Sequence, residues 1–136
     1  MVRLIMGEKG TGKTKKLIEM INAAAATESG SVVCIEAKDT MTFDIHYHVR
    51  LISAGEYQIS SYEALRGFIS GLYAGNYDTS HIFIDNLFKI VGGEPNQDAE
   101  NFLAWLDRFS NAHGVKFTAS VSGDPSLATD GMQKYL

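Results

Sequence analysis

Apolar side chains fall along this chain in two alternating rhythms. Some stand in short, nearly unbroken runs; others recur every three or four residues. The runs "VRLIM" (2–6), "SVVCIEA" (31–37), "HIFID" (81–85) and 115–121 predict strands buried on both faces, since a strand with one wet face alternates with polar residues. Leu17, Ile18, Ile21, Ala24 and Ala25 predict a helix over 13–26, ended by "TESG" at 27–30. Leu65, Phe68, Ile69 and Leu72 predict a second helix. Ser60 reads as its N-cap, Glu63 completes a capping box, and Gly75 stops it. Ala99, Phe102, Leu103, Leu106 and Phe109 place a third helix over 97–113, with Gly114 capping its end. "YQIS" at 57–60 predicts a short strand. Over 41–52, Met41, Phe43, Ile45, Tyr47, Val49 and Leu51 alternate with polar residues, which predicts extended structure; a helix through Phe43, Tyr47 and Leu51 is the alternative. The tail reads as a polar loop with a short helix.

Strands alternating with helices predict an α/β fold, a three-layer sandwich with a mostly parallel central sheet. The length of 136 residues predicts one domain over 1–136. Ligands of such sheets bind beyond the carboxyl ends of the strands, so the residues just after each strand carry the chemistry.

Composition narrows the function. A net charge of −4, from 12 basic and 16 acidic residues, argues against a chain built mainly to coat nucleic acid, and leaves a local basic patch open. Cys34 is the only cysteine, which excludes an internal disulfide and a thiolate zinc cluster; inside "VVCIE" it reads as a small buried hydrophobe. No apolar run approaches the ~18 residues of a membrane span. With no signal-peptide pattern after Arg3, a cytoplasmic protein without a membrane partner is expected.

After the first strand stands G-E-K-G-T-G-K-T, residues 7–14, which fits G-x-x-x-x-G-K-[ST]. By chance the pattern arises on the order of once in a hundred chains of this composition. Such a loop turns its amides inward around a phosphate, and the following helix adds the partial positive charge of its N-terminus. The nucleotide-binding stretch is thus Gly7, Glu8, Lys9, Gly10, Thr11, Gly12, Lys13, Thr14 and Lys15. Glu8 and Lys9 occupy variable positions, and Lys15 and Lys16 are expected to solvate the helix. Lys13 neutralises phosphate, and the Thr14 hydroxyl is a Mg²⁺ ligand. Asp85, closing "HIFID", offers a hard oxygen on rigid support as the second Mg²⁺ ligand.

Gly7–Thr14 and Ile82–Asp85 resemble the Walker A and Walker B motifs of P-loop NTPases. The order of elements is similar to the RecA-type branch, which carries an extra strand between the two motif strands, and to type II thymidine kinases, which share that core. "CIEAKDT" at 34–40 resembles the kinase segment after the second strand. The resemblance implies ATP and Mg²⁺ as ligands. It also implies a catalytic glutamate after the Walker B aspartate, where this chain has Asn86, an amide that cannot take a proton. Glu36, ending the second strand, is the substitute base, by similarity to RecA-type ATPases. A single cysteine, Cys34, rules out the cysteine zinc module of those kinases.

Four smaller features complete the reading. Ser120 and Ser122, at the end of the last strand, are either small packed residues or sensors of the outermost phosphate. If extended, 44–48 puts Asp44, His46 and His48 on one face, read as a polar solvent face rather than a metal site. Arg3, Arg50, Arg66 and Arg108 follow no finger motif, so rapid hydrolysis needs an arginine from an oligomer or partner. "EAKD" at 36–39 has Ala37 where a guanine-reading motif needs asparagine or threonine. The expected function is Mg-ATP binding with weak or partner-dependent ATPase activity. The alternatives are a catalytically silent, nucleotide-dependent regulatory module and a small nucleoside or nucleotide kinase.

Overall fold

The unbroken apolar runs become neighbouring strands of one sheet. In the computed structural model, which describes residues 1–38 and 44–136, the strands are β1 (Val2–Gly7), β2 (Ser31–Glu36), β3 (Arg50–Ser53), β4 (Thr79–Asp85) and β5 (Lys116–Ser122). Their order is β1-β5-β4-β2-β3, and every pairing is parallel. β5 therefore separates β1 from β4, as the order of elements led us to expect. The helices are α1 (Lys13–Thr27), α2 (Tyr62–Gly75), α3 (Leu87–Val91), α4 (Gln97–His113) and α5 (Asp130–Gln133).

The period of two along each strand sorts side chains between the faces. Ile5, Val32, Cys34 and Phe83 pack with Leu17, Ile21 and Ala24 of α1. Leu4, Val33, Ile35, Ile82, Ile84 and Phe117 pack with Leu65 and Ile69 of α2 and with Phe102, Leu103 and Leu106 of α4. The sheet is the middle of three layers. By the same parity Gly7, Glu36, Asp85, Ser120 and Ser122 fall on the α1 face at the carboxyl edge. Cys34 is fully buried, and burial pushes its thiol pKa far up, as suits an inert hydrophobe.

Three expectations are corrected. Of the extended segment 41–52, residues 50–52 are extended as expected, in β3; residues 41–43 lie outside the described residues, and Asp44–Val49 form turns rather than strand. Asn22 of α1 holds this segment, donating to the Asp44 carbonyl at 2.9 Å and accepting from the His46 N–H at 2.8 Å. The rings of His46, Tyr47 and His48, three consecutive residues, pack on one another at 4.2–4.7 Å, while Ile45 and Val49 turn toward the core on the α1 side. "YQIS" is not a strand: Ala54–Tyr57 is a 3₁₀ turn, Gln58 adopts φ 58°, and the Ile59 N–H returns to the Ala54 carbonyl at 3.0 Å. The N-cap of α2 is Ser61, whose hydroxyl accepts from the Ala64 N–H at 3.0 Å, which removes the Ser60–Glu63 capping box.

Beneath α1 lies a buried polar pair. His81 is 7% exposed, stacks on Phe83 at 4.1 Å, and lies 2.9 Å from the Thr118 hydroxyl. Burial lowers its pKa from 6.5 to about 4, against the opposing charge of Glu28. The folded value lies below the unfolded one, so the unfolded chain binds more protons in that window. Stability is full above about pH 6.5 and is lost as pH falls toward 4, by on the order of 3 kcal/mol. His81→Asn should flatten the fall of the urea midpoint across this window; an equal fall in both chains contradicts the assignment.

Candidate functional site

The turn between β1 and α1 is shaped by two glycines. Gly10 has φ 88° and Gly12 φ 81°, a left-handed backbone that side chains disfavour. Thr11 ties the turn together, its hydroxyl donating to the Glu8 carbonyl at 2.7 Å. The Gly123 N–H donates to the Gly7 carbonyl at 3.0 Å, fastening the start of the turn to the segment after β5. The first bond of α1 runs from the Lys16 N–H to the Gly12 carbonyl at 3.0 Å, so the amides of Lys13, Thr14 and Lys15 precede the helical ladder. Gly12 is the N-cap and brings no side-chain acceptor to them, and the first turn holds no acidic residue. This helix end thus presents bare amides and the partial positive charge of its N-terminus.

A cleft of about 400 Å³ opens there. Lys9, Gly10, Gly12, Lys13, Thr14 and Lys15 form one wall; Asn86, Lys89 and Ser122 form the other. Lys15, expected to solvate the helix, lines the cleft, while Lys16 lies in a groove with Arg3 and Leu136. Gly7, Glu8 and Thr11 face a different hollow, with Met6, Asp124 and Pro125.

Behind the cleft the strand ends form a polar ladder. The Ser120 hydroxyl donates to Asp85 Oδ1 at 3.0 Å and accepts from the Asn86 N–H at 2.9 Å. Ser120 thus orients the aspartate, and Asn86, at φ 58°, turns the chain sharply into α3. Ser122 stands apart at the strand end, 3.2 Å from Lys13 Nζ, which donates to it. The two serines split the alternatives read for them: one is packed and bridging, the other faces the cleft. Burial raises the Asp85 pKa, opposed by the Ser120 bond and the Lys13 charge. A half-buried carboxylate whose ionisation is resisted in this way suits a cation. Glu36 registers directly on Asp85 across β2 and β4 and is 0% exposed. Lys13, Thr14, Asp85 and Glu36 therefore converge on one edge and one face.

Two lysines escaped the sequence reading. Contact with Lys38, then the charges of Lys38 and Lys9, hold the exposed Lys89 ammonium below the usual lysine range. Lys89 stands four positions after Asp85, and that spacing from a strand-end aspartate is the one sequence signal that could have marked it. Among the described residues no group of His, Cys, Asp and Glu forms a multidentate metal cluster, and no helix is long and apolar enough to cross a membrane.

The chain matches no protein-family model, and no curated protein is similar to it in sequence. Its fold is similar to solved structures, among them the flagellar accessory protein FlaH from Methanocaldococcus jannaschii. That likeness has a TM-score of 0.61 at 13% identity and covers 98% of this chain. The chain spans 65% of the FlaH chain. What the two share is the fold, here a five-stranded parallel sheet packed between helices.

Proposed function

We propose that this chain is a P-loop protein that binds ATP with Mg²⁺ in the Lys9–Lys15 cleft and hydrolyses it slowly. One observation carries the reading: Gly10 and Gly12, both at positive φ, bare the first amides of α1 toward a cleft that Lys13 lines, with Asp85 behind it on the same face. The amides and Lys13 bind the phosphate chain, the amides by direction and the lysine by charge. The Thr14 hydroxyl and the Asp85 carboxylate are the residues that would hold Mg²⁺. When bound, the ion supplies charge neutralisation across the outer phosphates. Ser120 keeps Asp85 in position.

In hydrolysis a water oxygen bonds to the outermost phosphorus as the bond to the bridging oxygen breaks. ADP and inorganic phosphate leave, and the water gives up a proton. The Asn86 amide can orient that water but cannot accept the proton. Glu36 is the base, and its complete enclosure is the reason for slow turnover. That enclosure also favours the second reading, a nucleotide-dependent module without useful catalysis.

Phosphate release separates the two. Glu36→Gln should leave ATP affinity unchanged and lower turnover by about a hundredfold. Unchanged phosphate release in the variant removes Glu36 as base. The absence of release from the wild type selects the silent module.

A further inference from the structure

The cleft carries more positive charge than its loop supplies. Lys89 joins Lys9, Lys13 and Lys15 in its lining, in a chain whose net charge is −4. Lys89 sits on α3 just past Asp85 and Asn86, and Lys38 follows β2. Because β2 and β4 are neighbours with Glu36 registered on Asp85, the segments leaving the two strands meet at the same edge. There the ammonium groups of Lys38 and Lys89 lie near each other, Lys89 in the cleft lining and Lys38 beside it. Two like charges held together are unfavourable in the free protein, and an entering polyanion relieves them.

The arginines lie elsewhere. Arg3 and Arg50 stand near the opening ends of β1 and β3, away from the carboxyl edge. Arg66 is within α2 and Arg108 within α4, and the cations that line the cleft are all lysines.

We propose that Lys38 and Lys89 form a cationic clamp, supplied by this same chain, on the outermost phosphate of the bound triphosphate. The inference rests on the triphosphate reading above. Lys13 and the end of α1 hold the phosphate chain from one wall; the paired lysines meet its far end from the other. Their charge offsets the negative charge that spreads over the outer phosphoryl oxygens as the bridging bond breaks. An arginine from a second molecule is then not needed.

The test compares the wild type with the double variant Lys38→Gln/Lys89→Gln, both sites exposed so that the fold is undisturbed. ATP and ADP are each titrated in the presence of Mg²⁺, and turnover is followed across protein concentration. The clamp predicts a loss of ATP affinity of about fivefold for each lysine removed, with ADP affinity nearly constant. It also predicts wild-type turnover per molecule that does not depend on protein concentration. An unchanged ATP-to-ADP preference in the variant overturns the clamp while leaving the triphosphate site standing. Turnover per molecule that rises with concentration also overturns it, by showing a group supplied in trans. A wild type that binds neither nucleotide overturns both the clamp and the reading beneath it.

Discussion

Lys13→Ala is expected to lower the second-order rate constant for ATP hydrolysis by about a thousandfold and to weaken binding by about a hundredfold. The reason is geometric. Lys13 is the first residue of α1, so its own amide and its ammonium serve the same cleft from one backbone position. In the free protein the ammonium rests on the Ser122 hydroxyl at 3.2 Å, a neutral and exposed partner. Exchanging that contact for phosphate oxygens gains a charge-assisted bond for the loss of an ordinary one. The alanine variant keeps the loop, since Gly10, Gly12 and the Thr11–Glu8 contact set its shape. Thermal unfolding should therefore shift little while binding collapses. A variant that binds ATP as tightly as the wild type removes Lys13 from the site.

Asp85→Asn is expected to lower Mg²⁺-dependent turnover by about a thousandfold while making the free protein more stable. Both effects come from one placement. Asp85 ends β4 half-buried beneath the α1 face, and burial raises its pKa. A carboxylate whose folded pKa exceeds its unfolded value costs nothing below the unfolded pKa and opposes folding once pH rises through the folded one. Near neutral pH the wild type bears that cost. Asparagine keeps an oxygen for the Ser120 hydroxyl and sheds the charge, so the urea midpoint should rise at neutral pH and converge with the wild type in acid. The same substitution removes the hard anionic oxygen that a divalent ion requires. A variant with an unchanged midpoint and unchanged Mg²⁺ dependence would place the aspartate outside the site.

Much of this could be read from the residues because both the sheet and the loop leave dense local signals. "HIFID" is apolar on both parities since Ile82 and Ile84 meet α2 and α4 while Phe83 meets α1, and a doubly buried strand has no polar rhythm to confuse. Residues 97–113 keep one apolar stripe between Asn96, which caps the start by accepting from the Ala99 N–H at 3.1 Å, and Gly114 at φ 74°. Gly10 and Gly12 point to a special backbone in any context.

The failures share a physical cause, which is that partners distant in sequence decided the outcome. Alternation over 44–49 reads the same in a ladder or in a turn tied from outside, and Asn22 on another element holds the turn. Leu87–Val91 is too short a helix to display a period, so α3 passed unnoticed. With it went Lys89, whose meeting with Lys38 depends on the pairing of β2 with β4. Ser120 and Ser122 are alike in sequence, and only the end of the strand makes one a buried bridge and the other a cleft residue.

The central claim is that main-chain amides of the turn after β1 grip a triphosphate. Titrating the nitrogen-15-labelled protein with ATP and Mg²⁺ while following every amide signal tests it most directly. We expect the largest shifts at Gly10, Gly12, Lys13, Thr14 and Lys15, saturating together, with smaller ones at Asn86 and Ser122. Shifts that instead gather around the hollow of about 290 Å³ lined by Glu28, Ser31, His48 and Asp78, or no shifts at millimolar nucleotide, contradict it.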